Sequence, residues 1–272
     1  MRSKVGARYS WHFRGGATFM KTALITGGAK RIGEAITRAL AKRGYAVAIH
    51  YQSSAAHAQR LADEINQQGG KAISVGADIS GADAPQALID QVTSELSAPV
   101  CLINNASTFV RDTPLEFDAD TWTRQFHTNL RAPALLSAAF AKRLPQDVQG
   151  CIINILDQNI AAPTPDFFSY TLTKSALAVM TRLHAVAFAP QIRVCGVAPG
   201  LTLPSFGQTQ DQFHAVHNTT LLRRGSTTDS VAQAVCYLLE ASHVTGQILY
   251  VDGGERFKSG RHRSDDPDTG IE

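Results

Sequence analysis

A tyrosine and a lysine four residues apart, Tyr170 and Lys174, are the residues of this chain whose types and spacing most directly suggest chemistry. They lie near the start of an apolar pattern that predicts a helix over residues 169–188, and positions four apart share one helix face. An ammonium group favours a neighbouring phenolate, so we expect Lys174 to lower the pKa of Tyr170 from its ordinary value of about 10. Such a phenol can deliver a proton near neutral pH. Taken alone, the pair could also be an exposed tyrosine and lysine on an amphipathic helix.

A glycine-rich segment, from Gly27 to Gly33, lies between a short apolar run at residues 22–26 and a helical pattern at residues 34–43. A strand, a glycine loop and a helix in this order are typical of dinucleotide-binding units. The glycines let backbone approach a pyrophosphate, and the helix N-terminus offers free N–H groups and the positive end of its dipole. A tight turn without a ligand is the alternative.

The second predicted strand, residues 46–51, ends without the Asp or Glu that holds the ribose 2′-hydroxyl in NAD-binding units. Hydroxyls and an imidazole stand there instead, and the glycine loop carries two cations. These groups suit a 2′-phosphate, so the sequence predicts NADPH rather than NADH. The residues expected around it are Lys30, Arg31, His50, Tyr51, Ser53 and Ser54. A polar strand end without a cofactor role is the alternative.

The elements that must position these residues alternate between strands and helices. Further strands are predicted at residues 71–75, 100–103, 151–155, 192–197 and 247–251, and further helices at residues 55–68, 85–96, 119–144 and 229–240. This alternation predicts an α/β fold: a single Rossmann-like domain with a doubly wound, parallel seven-stranded sheet and helices on both faces. Residues 201–228 have weak periodicity and are predicted to form a loop that covers the substrate.

Composition excludes several classes of protein. The 272 residues carry a formal charge of +3, and much of the excess lies near the start, so no nucleic-acid-binding face is predicted. No apolar run reaches the roughly 18 residues of a membrane span. The cysteines lack the spacing of metal ligands, so no metal site is predicted and free thiols in a reducing compartment are expected: Cys101, Cys151, Cys195 and Cys236.

The chain ends differ in composition from the predicted domain, residues 21–257. Residues 1–20 contain four basic residues and no acidic one, and they are predicted to be a disordered extension, with a transit peptide as the alternative. Residues 258–272 are charged and are predicted to be a tail.

Taken together, motifs in order across residues 22–254 resemble those of the short-chain dehydrogenase/reductase superfamily. The matching positions are Thr26-Gly27…Gly33, Asp78, Asn104-Asn105-Ala106, Asn129, Tyr170…Lys174 and Pro199-Gly200. The resemblance implies a Rossmann-fold oxidoreductase that assembles as a homotetramer or a dimer. A cytoplasmic location is predicted, in keeping with the reducing compartment expected from the cysteines.

Three departures from the common pattern are similar to pteridine reductases and dihydromonapterin reductases. Arg31 replaces the middle glycine of the loop, Asp157 replaces the usual serine before the tyrosine, and Ser107 ends the Asn-Asn-Ala motif ahead of Phe109. A carboxylate would repel the oxyanion formed from a carbonyl, but it suits a substrate with N–H groups or a ring nitrogen that needs a proton. The resemblance therefore implies hydride transfer from NADPH to a C=N bond of a pterin.

The resemblance also implies individual roles. Asp157 and Tyr170 would donate the proton, with a raised pKa for the buried Asp157, while Lys174 would hold the nicotinamide ribose and Asn129 a helix kink. Phe109 would stack on the pterin ring. The other implied cofactor contacts are Gly27, Ile32, Gly33, Asp78, Asn105, Ala106, Ser107, Pro199 and Gly200, and the implied substrate contacts are Arg31, Ser107, Phe109, Asp157, Tyr170 and Leu201.

Other hypotheses remain open from the sequence. The chain could be a carbonyl reductase of the oxoacyl type, or a non-catalytic regulator that binds NADP. Asp157 could simply cap a turn, Phe109 could belong to the core, and Asn129 could make hydrogen bonds only within its own helix.

Overall fold

The computed structural model describes residues 20–204 and 209–258. Apart from Met20 and Lys258, the predicted extension and the predicted tail lie outside the described residues. Within the described part of the chain, no helix combines the length and the apolar character that crossing a bilayer requires.

One parallel sheet forms the centre of the molecule. In the described residues it has seven strands in the order β3-β2-β1-β4-β5-β6-β7, and every neighbouring pair is parallel. The strands are β1 (Thr22–Ile25), β2 (Ala46–Tyr51), β3 (Lys71–Gly76), β4 (Cys101–Asn104), β5 (Gly150–Ile155), β6 (Ile192–Pro199) and β7 (Ile248–Val251). The predicted parallel Rossmann-like sheet is confirmed.

Helices follow the strands as the alternation predicts. They are α1 (Arg31–Lys42), α2 (Ala55–Gln67), α3 (Ala84–Glu95), α4 (Ala119–Phe126), α5 (Ala132–Arg143), α6 (Phe168–Ala187), α7 (Gln210–Asn218) and α8 (Thr228–Glu240). Short 3-10 turns lie at Gln158–Ile160 and Glu255–Lys258.

The long helical stretch predicted over residues 119–144 is confirmed: α4, a π-helical turn at His127–Arg131 and α5 follow one another without a break. One prediction of local structure is wrong. The segment 201–228, predicted as a loop, contains α7, because Thr209 and Gln212 form a reciprocal capping box and Phe213 is buried.

Both faces of the sheet are packed, because adjacent residues of a strand point to opposite sides. Ile25 of β1 belongs to the core formed with α1, α2 and α8. Its neighbour Leu24 belongs to the core formed with α3 and α5. Strands buried on both faces explain the continuous apolar runs in the sequence.

The strand order reverses direction between β1 and β4. The loops that follow these two strands therefore diverge, and open α/β sheets bind ligands in the crevice that results. Side chains join the two loops at this point. The Thr26 hydroxyl accepts hydrogen bonds from the backbone N–H groups of Asn105 (2.9 Å) and Ala106 (3.0 Å).

Candidate active site

The glycine loop after β1 is packed so closely that two positions exclude a side chain. Gly27 has a φ of +60°, and a Cβ on Gly33 would lie 2.0 Å from the Gly27 carbonyl oxygen. The Asn105 amide donates to the carbonyl oxygens of Thr26 (2.9 Å) and Gly27 (3.1 Å) and so holds the loop in place. Helix α1 starts from this loop, and the side chain of Lys30, at its N-cap position, makes no capping hydrogen bond. The loop and the uncapped helix start fit a phosphate group.

His50 is buried beneath the same loop, and both ring nitrogens are paired with backbone. Gly27 N–H donates to Nδ1 (3.1 Å), and Nε2 lies 3.1 Å from the Ala77 carbonyl oxygen. Nε2 therefore carries the proton and donates it to Ala77. The interpretation of His50 as a ligand of the 2′-phosphate has no support here, because the imidazole instead connects the glycine loop with the end of β3.

Burial lowers the pKa of His50 from its ordinary value of 6.5, and this makes the stability of the protein depend on pH. Below pH 6.5 the unfolded chain takes up a proton at His50 that the folded protein does not. The free energy of unfolding should therefore fall with decreasing pH, by up to about 1.4 kcal/mol per pH unit from this residue. Urea unfolding of the wild type and of His50→Gln between about pH 5 and pH 7 isolates this contribution. Equal pH slopes in the two proteins would contradict it.

The other residues predicted around the 2′-phosphate lie at the rim. Lys30, Arg31 and Ser53 are exposed, and Arg31 takes the positive φ of 55° that a glycine would normally supply. Ser54 precedes α2 without capping it, and Tyr51 packs against Gly76.

On α2, desolvation and the positive charges of Lys30 and Arg60 lower the pKa of His57, so this imidazole is disfavoured as a further cation in this region.

Asp78, predicted at the adenine edge, is exposed after β3. Its carboxylate accepts hydrogen bonds from the backbone N–H (3.0 Å) and hydroxyl (2.7 Å) of Ser80, which lower the pKa of Asp78. Ser80 thus fixes the orientation of one carboxylate oxygen at the rim of the crevice.

The predicted catalytic side chains meet at the end of β5. Tyr170 donates its phenolic hydrogen to Asp157 Oδ2 at 3.0 Å, while Asp157 Oδ1 accepts from the backbone N–H of Asn159 at 2.8 Å. Asp157 is therefore a turn cap and also the partner of the tyrosine. Lys174 Nζ donates to the Ile155 carbonyl oxygen at 2.8 Å and lies 5.6 Å from the centre of the Tyr170 ring.

Burial controls the protonation of this group. It raises the pKa of Asp157, as predicted, and it lowers the pKa of Lys174 to about 8. The expectation that Lys174 lowers the pKa of Tyr170 is wrong. Burial, together with the charge and hydrogen bond of Asp157, raises the Tyr170 pKa well above its ordinary value. Because a general acid works best with a pKa near the operating pH, the raised pKa of Asp157 favours proton donation, whereas the raised pKa of Tyr170 opposes it.

Asn129 lies in the π-helical turn and is fully buried. Its oxygen accepts from the Ser107 hydroxyl (3.1 Å) and the Thr108 N–H (2.8 Å). Its amide group donates to the Thr108 carbonyl (2.9 Å) and to the Thr173 hydroxyl (3.2 Å). Asn129 therefore connects the segment after β4 with the residue before Lys174, rather than making hydrogen bonds only within its own helix.

Phe109 lies in the cleft, not in the core. Its side chain is 50% exposed, it stacks on Phe167 with a centroid distance of 4.2 Å, and it meets Tyr170 edge-on at 4.7 Å. Phe167 has a φ of 59°, a backbone conformation that bulky residues rarely adopt. No sequence signal pointed to Phe167, because its role depends on a contact made across the fold.

The end of β6 forms another wall of the cleft. Pro199 is buried, Gly200 N–H donates to the Val251 carbonyl oxygen (3.0 Å), and Leu201 N–H donates to Glu255 Oε2 (2.9 Å). The sequence did not identify Glu255. His217 Nε2 lies 2.7 Å from the Leu201 carbonyl oxygen, so α7 is held against this wall.

Comparison with known proteins gives a family match and similar relatives. The family model described as enoyl-(acyl carrier protein) reductase matches residues 27–255. Pteridine reductase 1 of Leishmania tarentolae is 32% identical over 274 residues, covering 85% of this chain and 95% of that protein. Glucose 1-dehydrogenase 2 of Bacillus subtilis (strain 168) is 31% identical over 243 residues, covering 86% of this chain and 94% of that protein.

A solved structure is also similar. FolM alternative dihydrofolate reductase 1 from Brucella canis, complexed with NADP, superposes with a TM-score of 0.84 at 39% sequence identity. The alignment covers 87% of this chain and 94% of that chain.

Proposed function

The chain belongs to the short-chain dehydrogenase/reductase family of oxidoreductases, and from that premise we propose that it reduces a pterin with NADPH, at a ring C=N bond. One observation carries the proposal: a carboxyl group, Asp157, hydrogen-bonds the catalytic tyrosine beside an exposed aromatic ring in the cleft. The names of two similar proteins point the same way, since dihydrofolate and pteridines share the pterin ring.

NADPH is the cofactor of the proposed reaction, and when bound it supplies the hydride. The glycine loop and the start of α1 would hold its pyrophosphate. Lys30 and Arg31 at the rim would attract the 2′-phosphate, and Lys174 would bind the nicotinamide ribose. Of the remaining predicted cofactor residues, Asn105 and Ala106 support the loop through Thr26.

Asp157 and Tyr170 would supply the proton that the ring nitrogen takes up as the neighbouring carbon is reduced. Burial raises the pKa of Asp157, which favours the protonated form that a proton donor needs. Tyr170 is hydrogen-bonded to it, so a proton given up by one side chain can be replaced from the other.

Phe109 would serve as the platform on which the pterin stacks. Replacing Phe109 by alanine should raise the KM for a dihydropterin about 10- to 100-fold, because stacking on an aromatic ring contributes roughly 1–3 kcal/mol per base-like ring. The affinity for NADPH should stay the same. Steady-state kinetics and fluorescence titration measure the two quantities. Phe117→Ala is the matched control, since Phe117 is 49% exposed but packs on Trp122. Equal KM values for both variants would contradict the platform role.

The function itself is tested by NADPH oxidation with biopterin, dihydromonapterin, dihydrofolate and an acetoacetyl ester, assayed side by side. We expect turnover of at least one pterin and weak or no turnover of the ester. The same assays with an antifolate added should show inhibition, because an antifolate presents a similar ring. Turnover of the ester alone would overturn the proposal.

A carbonyl reductase is the second candidate function. The similarity to a protein named glucose 1-dehydrogenase favours it, because glucose has no ring nitrogen to protonate. It requires Asp157 to lie opposite a developing oxyanion, which is electrostatically unfavourable. A non-catalytic NADP-binding regulator would bind NADPH tightly and oxidise it with none of these substrates.

Assembly and location complete the proposal. Helix α6 exposes apolar side chains at Val179 (53%), Leu183 (63%) and Val186 (82%), as expected if it packs on another copy in a homotetramer. A monomer in sedimentation analysis would contradict this.

The four cysteines are free and buried, which suits a reducing compartment, so we propose that the protein acts in the cytoplasm. Recovery in an extracellular fraction would contradict that location.

A further inference from the structure

Helix α6, which carries Tyr170 and Lys174, lacks a cap of its own. Its N-cap residue, Phe167, makes no side-chain capping hydrogen bond. The first N–H groups of a helix need acceptors when they are buried, and an uncapped start is free to fray. The acceptors here come from a distant part of the chain.

Asp112 supplies two such acceptors, for the first two N–H groups of α6. Its backbone carbonyl accepts from the Phe168 N–H at 3.3 Å, and its carboxylate accepts from the Ser169 N–H at 3.1 Å. The Ser169 hydroxyl also donates to Asp112 Oδ2. Asp112 and Ser169 are both buried. A carboxylate at this end of a helix is further stabilised by the helix dipole.

Asp112 also lies at the end of the segment that carries Phe109, the proposed platform for the pterin. Asp112 is three residues after Phe109, whose ring contacts Tyr170, and Ser169 is the residue directly before Tyr170. The hydrogen bonds of Asp112 therefore fix the distance between the platform and the phenol. Loops that carry binding residues are otherwise mobile, and small displacements of reacting groups reduce rates strongly.

We propose that Asp112 is a positioning residue, which holds Phe109 and Tyr170 in register by capping α6 from outside the helix. The kinetic test of this inference rests on the proposed function, because the position of Phe109 affects turnover only if the substrate has a flat ring. Gln125 completes the network, since its amide nitrogen donates to the Ser169 hydroxyl while its oxygen has no partner among the residues that the structure describes.

Kinetics of Asp112→Ala and Asp112→Asn test the proposal. We expect alanine to lower kcat and to raise the KM for a dihydropterin, so that kcat/KM falls about 10- to 100-fold, as for loss of a buried charged hydrogen bond. NADPH affinity should be unchanged. Asparagine should recover activity to within about 5-fold, because its oxygen accepts from the Ser169 N–H and the Gln125 amide can rotate to accept the hydroxyl. Wild-type kinetics in the alanine variant would overturn the proposal.

Asp166→Ala is the matched control. Asp166 pairs with Arg111 between the same two segments, but this ion pair is exposed, with side-chain exposures of 72% for Arg111 and 39% for Asp166. Such pairs contribute little, so this variant should behave like the wild type. A loss of kcat/KM as large as that of Asp112→Ala would show that the loss of any contact between the two segments has this effect, and it would overturn the specific role of Asp112.

Hydrogen–deuterium exchange provides a readout that needs no substrate. In Asp112→Ala the amides of residues 107–112 and 168–171 should exchange faster than in the wild type, while those of the glycine loop should not. If the wild type reduces no pterin, the proposed function fails, yet the exchange data still decide the role of Asp112. Unchanged exchange in both segments would overturn that role even in an active enzyme.

Discussion

Replacing Asp157 by alanine is expected to abolish pterin reduction while NADPH binding survives. The substitution removes the carboxyl group that accepts the Tyr170 hydrogen bond at 3.0 Å and whose pKa is raised by burial. Loss of a positioned proton donor costs roughly 10²- to 10⁴-fold in rate. Stopped-flow NADPH oxidation with a dihydropterin measures the loss, and quenching of protein fluorescence by NADPH measures the binding. Full activity in this variant would end the hypothesis of a pterin reductase.

Two further substitutions at position 157 distinguish the loss of the proton donor from a disturbance of the local structure. Asp157→Asn keeps an oxygen that can accept from the Asn159 N–H and so preserves the turn, but it has no proton to give. It should therefore be nearly as inactive as the alanine variant. Asp157→Ser places a hydroxyl there, as in the common pattern of the superfamily, and it should lose pterin reduction and gain turnover of an acetoacetyl ester.

Replacing Gly33 by alanine is expected to weaken NADPH binding by more than about 100-fold and to destabilise the fold by roughly 1–3 kcal/mol, the usual cost of overpacking. The new Cβ would lie 2.0 Å from the Gly27 carbonyl oxygen and 2.8 Å from the Asn105 amide nitrogen. Because the nearest atom is backbone, the loop itself must move, and the surface offered to the pyrophosphate is lost. Fluorescence titration and urea unfolding measure the two effects.

Gly81→Ala is the control for this prediction. A Cβ on Gly81 would make ordinary contacts, 3.6 Å from the Asp78 carbonyl oxygen and 3.8 Å from the Ala84 Cβ, so the variant should bind NADPH like the wild type. Wild-type affinity in the Gly33 variant would show that the loop has no role in cofactor binding and is a structural turn only.

The cleft geometry excludes two alternatives that the sequence had left open for single residues. Phe109 is half exposed and meets Tyr170, so it is not part of the core. Asp157 does cap a turn, but only with one oxygen, and the other is bonded to Tyr170. These two findings support the pterin hypothesis because a half-exposed aromatic ring and a carboxyl-bonded phenol lie side by side.

The sequence by itself determined the framework of this protein. Alternating apolar strands and amphipathic helices encode the parallel sheet, since the two periodicities are local properties of the chain. The glycine loop, Tyr170 and Lys174 were predicted from their residue types and spacing, whereas Asn129 and Asp157 were implied by the family resemblance. The glycine loop and Asp157 follow strands β1 and β5, as the fold class predicts, since the carboxyl ends of parallel strands meet at one edge, while Asn129, Tyr170 and Lys174 lie on helical segments.

Only the tertiary structure decided how neighbours modify these groups. The pKa of Tyr170 is raised rather than lowered, because of burial and of the charge and hydrogen bond of Asp157. His50 supports the glycine loop, because its two ring nitrogens are hydrogen-bonded to backbone groups of Gly27 and Ala77. Both residues are distant from His50 in the sequence. Asp112 caps a helix 57 residues further along the chain. Burial and contacts between distant segments are properties of the whole fold, and no local pattern records them.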